Sequence, residues 1–561
     1  MRHSTVVALL LALIPVVAAG DVTHSKHNLS ISGPGTIKAS SETRVCVFCH
    51  VAHNSSPSGP LWNRRDPGGT YTPYTSSTLV STPPNRPTGA SILCLSCHDG
   101  TIALGDIRSA STPIAMTGAN FMPPGQSQIS SDMSGDHPIS FEYTSTLALL
   151  RGELVDPGAL TGPVKLDRSG QLQCTACHTP HDDTYGKFLV MSNQGSALCV
   201  TCHVKSSWDG STHQLSSAGW NGVPPDPWPT TDWTTVLDNG CEGCHQPHAA
   251  PGTKRLLHAA TEEEVCYACH NGHVATRDVQ SSFSKPSRHP VAGTTGTHDP
   301  KETALVSVRH VECVDCHNPH ATTSSGPMPF GPLAQVRGVD INGAEVKPAL
   351  HEYEICFRCH ADTNVTTLAR PPTTPRLDPE PNLRAKMSPT MNVTGSFHPV
   401  TTPGRNPSMP GLLAPLTVGS TIACTDCHND NSSTKAGGVG PNGPHGSDFE
   451  PLLIRNYNMS TVSGAESPAE YALCYACHDR AVLLSSQSGF PAHSLHLAAG
   501  DRCNNCHDPH GVQTASHLVN FDMNVVTGIG AAPPIYETTG TGAGSCSLVC
   551  HDHTHNPSVY P

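Results

Sequence analysis

The chain has 561 residues with 32 Lys and Arg against 45 Asp and Glu, a formal net charge of −13 with histidine neutral. That balance argues against a nucleic-acid partner, which needs clustered positive charge. Only 14% of residues are charged, and 49 Gly and 51 Pro interrupt long helices. The chain is therefore too irregular and too poor in aliphatic residues for an ordinary core, yet not acidic or repetitive enough to be called disordered.

Residues 1–20 read as a secretory signal peptide. Arg2 is the positive start, Val6 to Ala18 the apolar stretch, and Val17-Ala18-Ala19 a small-residue cleavage site. A membrane anchor or a buried helix is the alternative. The run is too short to span a bilayer comfortably, and no cysteine lies beside it to carry a lipid. No later stretch reads as a transmembrane segment. The expectation is an exported protein, in the periplasm or at the cell surface as an extracellular protein.

The 24 cysteines carry the chemistry. Eleven pairs are spaced C-x-x-C-H: Cys46/Cys49/His50, Cys94/Cys97/His98, Cys174/Cys177/His178, Cys199/Cys202/His203, Cys241/Cys244/His245, Cys266/Cys269/His270, Cys313/Cys316/His317, Cys356/Cys359/His360, Cys424/Cys427/His428, Cys474/Cys477/His478 and Cys503/Cys506/His507. The twelfth, Cys546/Cys550/His551, has one extra residue. C-x-x-C-H is the attachment signal for c-type haem. Two thiols add to the two vinyl groups of the porphyrin while the imidazole, as proximal ligand, reaches the iron. In a helical turn, positions i, i+3 and i+4 share one face and can do both. A zinc ribbon needs no histidine directly after the second cysteine, and a disulfide framework needs none at all. All twelve pairs end in histidine and no cysteine is left over, so twelve covalently bound haem c groups are expected. Their apolar plates supply the buried surface that the sequence lacks.

The sites fall into six dihaem units: residues 21–115, 116–205, 206–275, 276–365, 366–485 and 486–561. In five units a histidine follows the first site three residues on: His53 in CHVAH, His181 in CHTPH, His248 in CHQPH, His320 in CHNPH and His510 in CHDPH. The fifth unit reads CHNDN, and His445 in GPHGS is the nearest substitute. Each unit also has an upstream histidine. Those chosen are His27 (over His24), His137, His213, His289 (over His298 and His310), His398 and His496 (over His493). Three of the upstream histidines precede proline, which holds the residue before it extended. If every iron takes two histidines, six upstream and six downstream residues supply the twelve distal ligands. His178 holds its iron from one side, so His181 cannot reach the opposite face of the same iron and must serve another haem. His553 and His555 stand in reserve.

The expected fold is mostly irregular coil, with short α-helices around the attachment sites, little β-structure and the haems as the core of an elongated molecule. Thr261–His270 and Ser467–His478 read as the better helices, and Leu518–Tyr536 as holding a short hairpin. Segments rich in Pro, Gly, Ser and Thr read as surface loops between haem clusters.

With KHNLS at 26–30, CVFCHVAHN at 46–54, PLWNR at 60–64, the C-H-x-P-H sites, SHLVNFD at 516–522 and the terminal CSLVCH, the chain resembles multihaem c-type cytochromes with doubled C-x-x-C-H motifs. The likeness is greatest to the exported outer-surface cytochromes of dissimilatory metal-reducing bacteria. The resemblance implies bis-histidine haems, little regular structure, and extracellular or periplasmic electron transfer. Implied partners are other cytochromes or redox proteins, further copies of the chain in filaments, and extracellular metal oxides.

The leading expectation is an electron conduit rather than an enzyme, with no catalytic residues. The alternative is a reductase of nitrite, hydroxylamine or a sulfur oxyanion, which needs one haem with an open distal position. No C-x-x-C-K site marks such a haem here. A storage or structural filament subunit overlaps with the first reading.

Overall fold

Proline and glycine recur too often for regular structure to propagate, and no described helix exceeds the ten residues of α1 (Gly89–His98). The computed structural model describes residues 21–57, 59–293, 299, 301–302, 310–323, 331–361, 374–380, 382–458, 466–540, 543–550 and 552–560. The expected signal peptide, His298 and His551 lie outside the described residues. Among the described residues, no helix is long and apolar enough to cross a membrane.

The helices are short and each is set by its ends. In α2 (Glu262–Tyr267), Thr261 is the N-cap, Glu264 completes a capping box, and the first turn is acidic throughout. This matches the first of the two expected helices. The second, over 467–478, is replaced by successive turns that end in a 3-10 turn at Cys474–Ala476. Its ladder is diverted at Leu473, whose amide donates to the Asn456 carbonyl at 3.0 Å. The longest helix after α1 is α3 (Glu352–His360), followed later by α4 (His493–Ala498).

The largest sheet among the described residues begins inside Leu518–Tyr536, the stretch expected to hold a hairpin, but the two strands that start there pair with a third strand and not with each other. It comprises β1 (Val526–Thr527), β2 (Ile535–Gly540), β3 (Ala543–Cys550) and β4 (His553–Tyr560). β3 is central, with β4 along one edge and β1 and β2 along the other, all antiparallel. Leu548 and Cys550 of β3 bury against Phe521 and Val526. That alternating apolar face draws the last cysteine pair into a strand. The other three ladders are two residues long, for example Lys38–Ala39 on Met116–Thr117.

Two compact units form. One takes the chain up to Lys205 with Asp238–Ala260, and the other takes Ser206–Leu237 with Thr261 onward. The division runs through residues 206–275. Cys241, Cys244 and His245 therefore belong to the first unit, while Cys266, Cys269 and His270 belong to the second. Neither unit has one continuous core. The first holds separate small clusters such as Ala39, Val47, Phe48 and Ile107, or Val164, Leu172 and Ala176. The second holds Val339, Phe357, Ala361, Met387 and Phe397 as its largest.

The polar interior is ordered instead by side chains on backbone carbonyls. Arg64 is fully buried. It donates to the Ser96 carbonyl at 3.1 and 2.9 Å, to Leu104 O at 2.8 Å and to Ala103 O at 3.0 Å, tying down the end of α1. Replacing Arg64 by Met strands these buried acceptors, each worth about 1–3 kcal/mol. We expect a loss of about 3–5 kcal/mol, measured by denaturant unfolding of the full chain.

Candidate haem-binding site

Each C-x-x-C-H stretch closes one helical turn. The histidine amide donates back to the carbonyl of the first cysteine, from His50 to Cys46 at 2.8 Å, His178 to Cys174 at 3.0 Å, His245 to Cys241 at 2.8 Å and His507 to Cys503 at 2.8 Å. The same bond joins His203 to Cys199, His270 to Cys266, His317 to Cys313, His428 to Cys424 and His478 to Cys474. The second and eighth sites end α1 and α3, with His98 and His360 as the last helical residues. Two thiols and an imidazole thus share one face at eleven sites. No disulfide joins any of the 24 cysteines.

The expected helical geometry needs one correction, at the second cysteine of two sites. Cys244 and Cys477 leave the helical region, at φ −131°, ψ −30° and φ −124°, ψ −23°. The Cys244 carbonyl accepts the amide of His258 at 3.0 Å and the Cys477 carbonyl that of Leu413 at 2.9 Å, as the carbonyls of Cys49, Cys177 and Cys427, which stay in the helical region, accept the amides of Asn63, Val190 and Ile454. The turn still closes, because the Cys244 amide donates to the Cys241 carbonyl at 3.1 Å and that of Cys477 to Cys474 at 3.2 Å.

Opposite most of the motif imidazoles stands a second one. In the first compact unit, His181 faces His50 at 6.2 Å between ring centres, His27 faces His98 at 6.2 Å, His248 faces His178 at 6.0 Å and His137 faces His203 at 6.1 Å. In the second, His213 faces His270 at 6.2 Å, His445 faces His317 at 6.1 Å, and His289 faces His360 at 6.2 Å. His510 faces His428 at 6.0 Å, His398 faces His478 at 6.5 Å and His493 faces His507 at 6.4 Å. An iron bonded at about 2 Å to the inner nitrogen of each ring needs ring centres about 6 Å apart, so the gaps fit a metal held between two imidazoles.

The outer nitrogens are fixed as well. Nδ1 of His27, His213, His289 and His398 lies 2.6–3.1 Å from the carbonyls of Pro180, Pro319, Pro444 and Pro509. Each of these prolines immediately precedes a histidine of the next dihaem unit. The sequence reading explained the proline after an upstream histidine but missed this use of the one in C-H-x-P-H. Such contacts at Nδ1 orient a ring and leave Nε2 for a metal. For the first site of each unit, a returning loop supplies the carbonyl. His50 meets Pro60 O at 2.9 Å, His178 Lys187 O at 2.9 Å, His245 Arg255 O at 2.8 Å, His317 Pro332 O at 3.0 Å, His428 Pro451 O at 3.0 Å and His507 His517 O at 2.8 Å. Leu61, Phe188, Leu256, Leu452 and Leu518 in these loops adopt positive φ, a conformation bulky residues hold only where surroundings enforce it.

Burial favours the neutral form of six of these rings. Desolvation first, then the facing ring, lowers His203, His270, His478 and His493 to about 4, and His445 and His510 to about 3. A base whose pKa falls on folding binds fewer protons in the folded state. Its contribution is complete above about 6.5, the unfolded value, and declines as pH falls towards the folded value. We expect stability to fall as pH drops from about 6.5 towards 4, measured as the denaturation midpoint across an acid titration.

The attachment sites also touch one another in a regular order. The first cysteines are near neighbours across units: Cys94 and Cys174, Cys199 and Cys241, Cys356 and Cys424, and Cys474 and Cys503. Within a unit the second cysteines are the near neighbours: Cys49 and Cys97, Cys177 and Cys202, Cys316 and Cys359, Cys427 and Cys477. Side chains lock the first kind of junction. Ser91 Oγ accepts the Cys174 amide at 3.0 Å, Ser196 Oγ the Cys241 amide at 2.6 Å, Glu262 the Val314 amide at 2.9 Å, and Glu352 the Thr425 amide at 2.9 Å.

The remaining histidines stand as follows. His53 is exposed and faces no described histidine. His320 lies beside Trp208, at 6.3 Å between ring centres. His496, chosen over His493 in the sequence, faces His555 at 6.0 Å, and His493 is the one opposite His507. Both lie on α4, one turn apart, so periodicity could not separate them. His24 pairs with Asp21 and His310 with Glu302. His445, expected to stand in for the histidine missing at CHNDN, faces His317 of the preceding unit, and its buried Nδ1 has no hydrogen-bond partner.

A family model described as "Doubled CXXCH motif" matches residues 167–207 and 235–275. The multiheme cytochrome MtrA of Shewanella baltica (strain OS185) is 30% identical over 125 residues, a stretch that takes in 20% of this chain and 31% of that protein. The match therefore spans about a third of that relative's length. Eleven turns that set two thiols and an imidazole on one face, together with these two likenesses, make the chain a multihaem c-type cytochrome.

Proposed function

We propose that the protein is an electron-transfer conduit whose twelve haem c groups are held one after another in sequence order within each compact unit. The single observation that carries this reading is the set of imidazoles facing one another across about 6 Å. Haem c, once attached, supplies a one-electron iron couple, and two histidines per iron favour low potentials over the higher ones of Met/His ligation. Proximal ligands are the histidines that end the cysteine motifs. Distal ligands are the histidines facing them, from His27 and His181 to His493 and His510. Cys546 and Cys550 attach the twelfth haem.

The chain's own residues do the rest. Buried, neutral rings with anchored Nδ1 atoms need little reorganisation when the iron changes charge. Contacts between first cysteines, alternating with those between second cysteines, bring neighbouring porphyrin edges close enough for rapid hopping.

The connectivity is also directional. The C-H-x-P-H histidine of one unit serves the first haem of the unit before it, as His181 does for His50 and His510 for His428. His53, exposed and facing no described histidine, is left by this rule for an iron other than these twelve. The reading therefore includes self-association into filaments. It also includes export to the periplasm or cell surface, and exchange of electrons with other redox proteins and with extracellular metal oxides, where MtrA, a multiheme cytochrome by name, is the available comparison.

Two measurements test the proposal. The mass of the denatured protein counts thioether-linked haems, with twelve expected. Electron paramagnetic resonance of the oxidised protein should show low-spin ferric haem almost throughout. A substrate-responsive high-spin haem at one per molecule would instead favour the reductase.

A further inference from the structure

An imidazole that binds iron through Nε2 keeps a proton on Nδ1. The group that receives this proton sets how strongly the ring donates to the metal. Among the ten facing rings, those of His27, His213, His289 and His398 give Nδ1 to a proline carbonyl, a neutral acceptor. His248 differs. Its Nδ1 lies 3.2 Å from Asp136 Oδ1, and no other of the ten has a described carboxylate within hydrogen-bond distance. The nearest comparison is His510, whose Nδ1 stands 3.9 Å from Asp508 Oδ1, beyond a hydrogen bond, with Lys386 offsetting the charge.

The carboxylate is built into its place. Asp136 is 4% exposed. Among the described residues it pairs with no lysine or arginine, and its Oδ1 also accepts the Ala249 amide at 3.2 Å. The His137 amide donates to the Pro247 carbonyl at 2.9 Å and the Ala250 amide to the Gly135 carbonyl at 2.9 Å. Residues 135–137 thus clasp 247–250. A Cβ on Gly135 would lie 2.8 Å from the Ala250 carbonyl oxygen, so the close approach requires glycine there. Gln246 Nε2 fixes the clasped segment further by donating to the carbonyls of His248 and Ala249, at 2.8 Å each. Two adjacent residues therefore serve two rings. His137 itself faces His203, while Asp136 backs His248, which faces His178.

A carboxylate accepting the Nδ1 proton makes a charge-assisted bond, stronger than the bond to a carbonyl. It raises the basicity of the ring. Its negative charge also favours ferric over ferrous iron, and burial leaves that charge little screened. We propose that Asp136 is a positioning residue that makes His248 an electron-rich ligand and lowers the potential of the haem attached at Cys174 and Cys177, setting a step at the third position of the conduit. The inference rests on the conduit reading above and deepens it.

Full-length Asp136→Asn, Asp136→Glu and His248→Ala proteins are compared with wild type by denatured mass, by electron paramagnetic resonance of the oxidised form and by redox titration at the haem absorption band. Asp136→Asn keeps an oxygen acceptor for the His248 ring and the Ala249 amide but removes the charge. The expected result is an unchanged haem count, low-spin haem as in wild type, and one component of the titration moved upward. At a fixed potential its ferric-to-ferrous ratio should fall roughly tenfold, the difference between a charged and a neutral acceptor. Asp136→Glu keeps the charge and should return that component towards its wild-type position. His248→Ala should give one high-spin ferric haem per molecule that imidazole returns to low spin.

An Asp136→Asn titration that superimposes on wild type, or a component that moves down, overturns the inference. So does an equal upward shift in Asp136→Glu, which assigns the effect to ring placement and not to charge. In these cases the ligation and the conduit stand. A His248→Ala protein that stays low-spin throughout overturns the ligation on which the inference rests. If Asp136→Asn does not accumulate, Asp136→Ser carries the same test, with an uncharged oxygen in place of the carboxylate and the same upward shift expected.

Discussion

His445→Ala should open one haem, and it should be the haem attached at Cys313 and Cys316, not the one attached at Cys424 and Cys427 closer in sequence. His445 faces His317 at 6.1 Å with the rings near parallel, while the facing partner of His428 is His510. The expected signature is one high-spin ferric haem per molecule, restored by imidazole. His445→Met should instead raise the potential of that one haem, read in a redox titration as a single component moving up. In a linear array either change interrupts the path at the seventh position, so the rate of reduction across the chain should fall even though the other haems keep their spectra. His445 is the ring best suited to this test, because its buried Nδ1 has no partner whose loss would confuse the result.

The second large effect is expected at Lys386. Its ammonium donates to the Asp508 carboxylate in a pair where both side chains are more than nine-tenths buried. The other Asp508 oxygen accepts the amide of His510 at 3.0 Å, so this pair positions the ring that faces His428. Burial alone would push the Asp508 carboxyl up, yet Lys386 more than offsets it and the net shift is downward. Lys386→Met leaves that charge buried and uncompensated, which costs about 3–5 kcal/mol. The loss should appear as a lower denaturation midpoint. It should be accompanied by partial high-spin character at the ninth haem, since a displaced Asp508 frees His510. Lys386→Met combined with Asp508→Asn should recover much of the stability, because no unpaired charge remains. A surface pair such as Arg44 with Glu42 should show no comparable effect.

The attachment turns were legible because covalent chemistry demands a fixed spacing between Cys46, Cys49 and His50 and their counterparts. The bond in which the Cys244 carbonyl accepts the amide of His258 was not, since no side chain announces it. The downstream histidines were legible because geometry forbids His181 from reaching the iron that His178 holds. Which iron it serves was not legible, because the partner His50 lies far back in the chain and only the tertiary path joins them. His27 and His24 separate in space through Asp21, which holds His24 at the surface by a local bond. The choice between His493 and His496 had no signal, as one helix turn presents both. The returning loops were visible as PLWNR and SHLVNFD, but their use was not. A backbone carbonyl carries no side-chain signature, and the prolines that supply seven of the Nδ1 contacts described above resemble ordinary turn residues. The last cysteine pair carries two signals at once. Its residues carry the attachment pattern, while the alternation of Leu548 and Cys550 with their neighbours carries strand periodicity, and burial against Phe521 and Val526 decides for the strand.

The backward reach of the C-H-x-P-H segments also sets a timetable. A chain delivered amino end first presents Cys46, Cys49 and His50 long before it presents His181, and Cys174, Cys177 and His178 before His248. On the proposed ligation each early pocket would stay open on one side while its haem is attached, and would shut only when the following pair arrives with its ring and, for several pockets, its proline carbonyl. Maturation and closure thus proceed in the same direction as synthesis, and a chain cut short at any pair betrays itself one pair upstream.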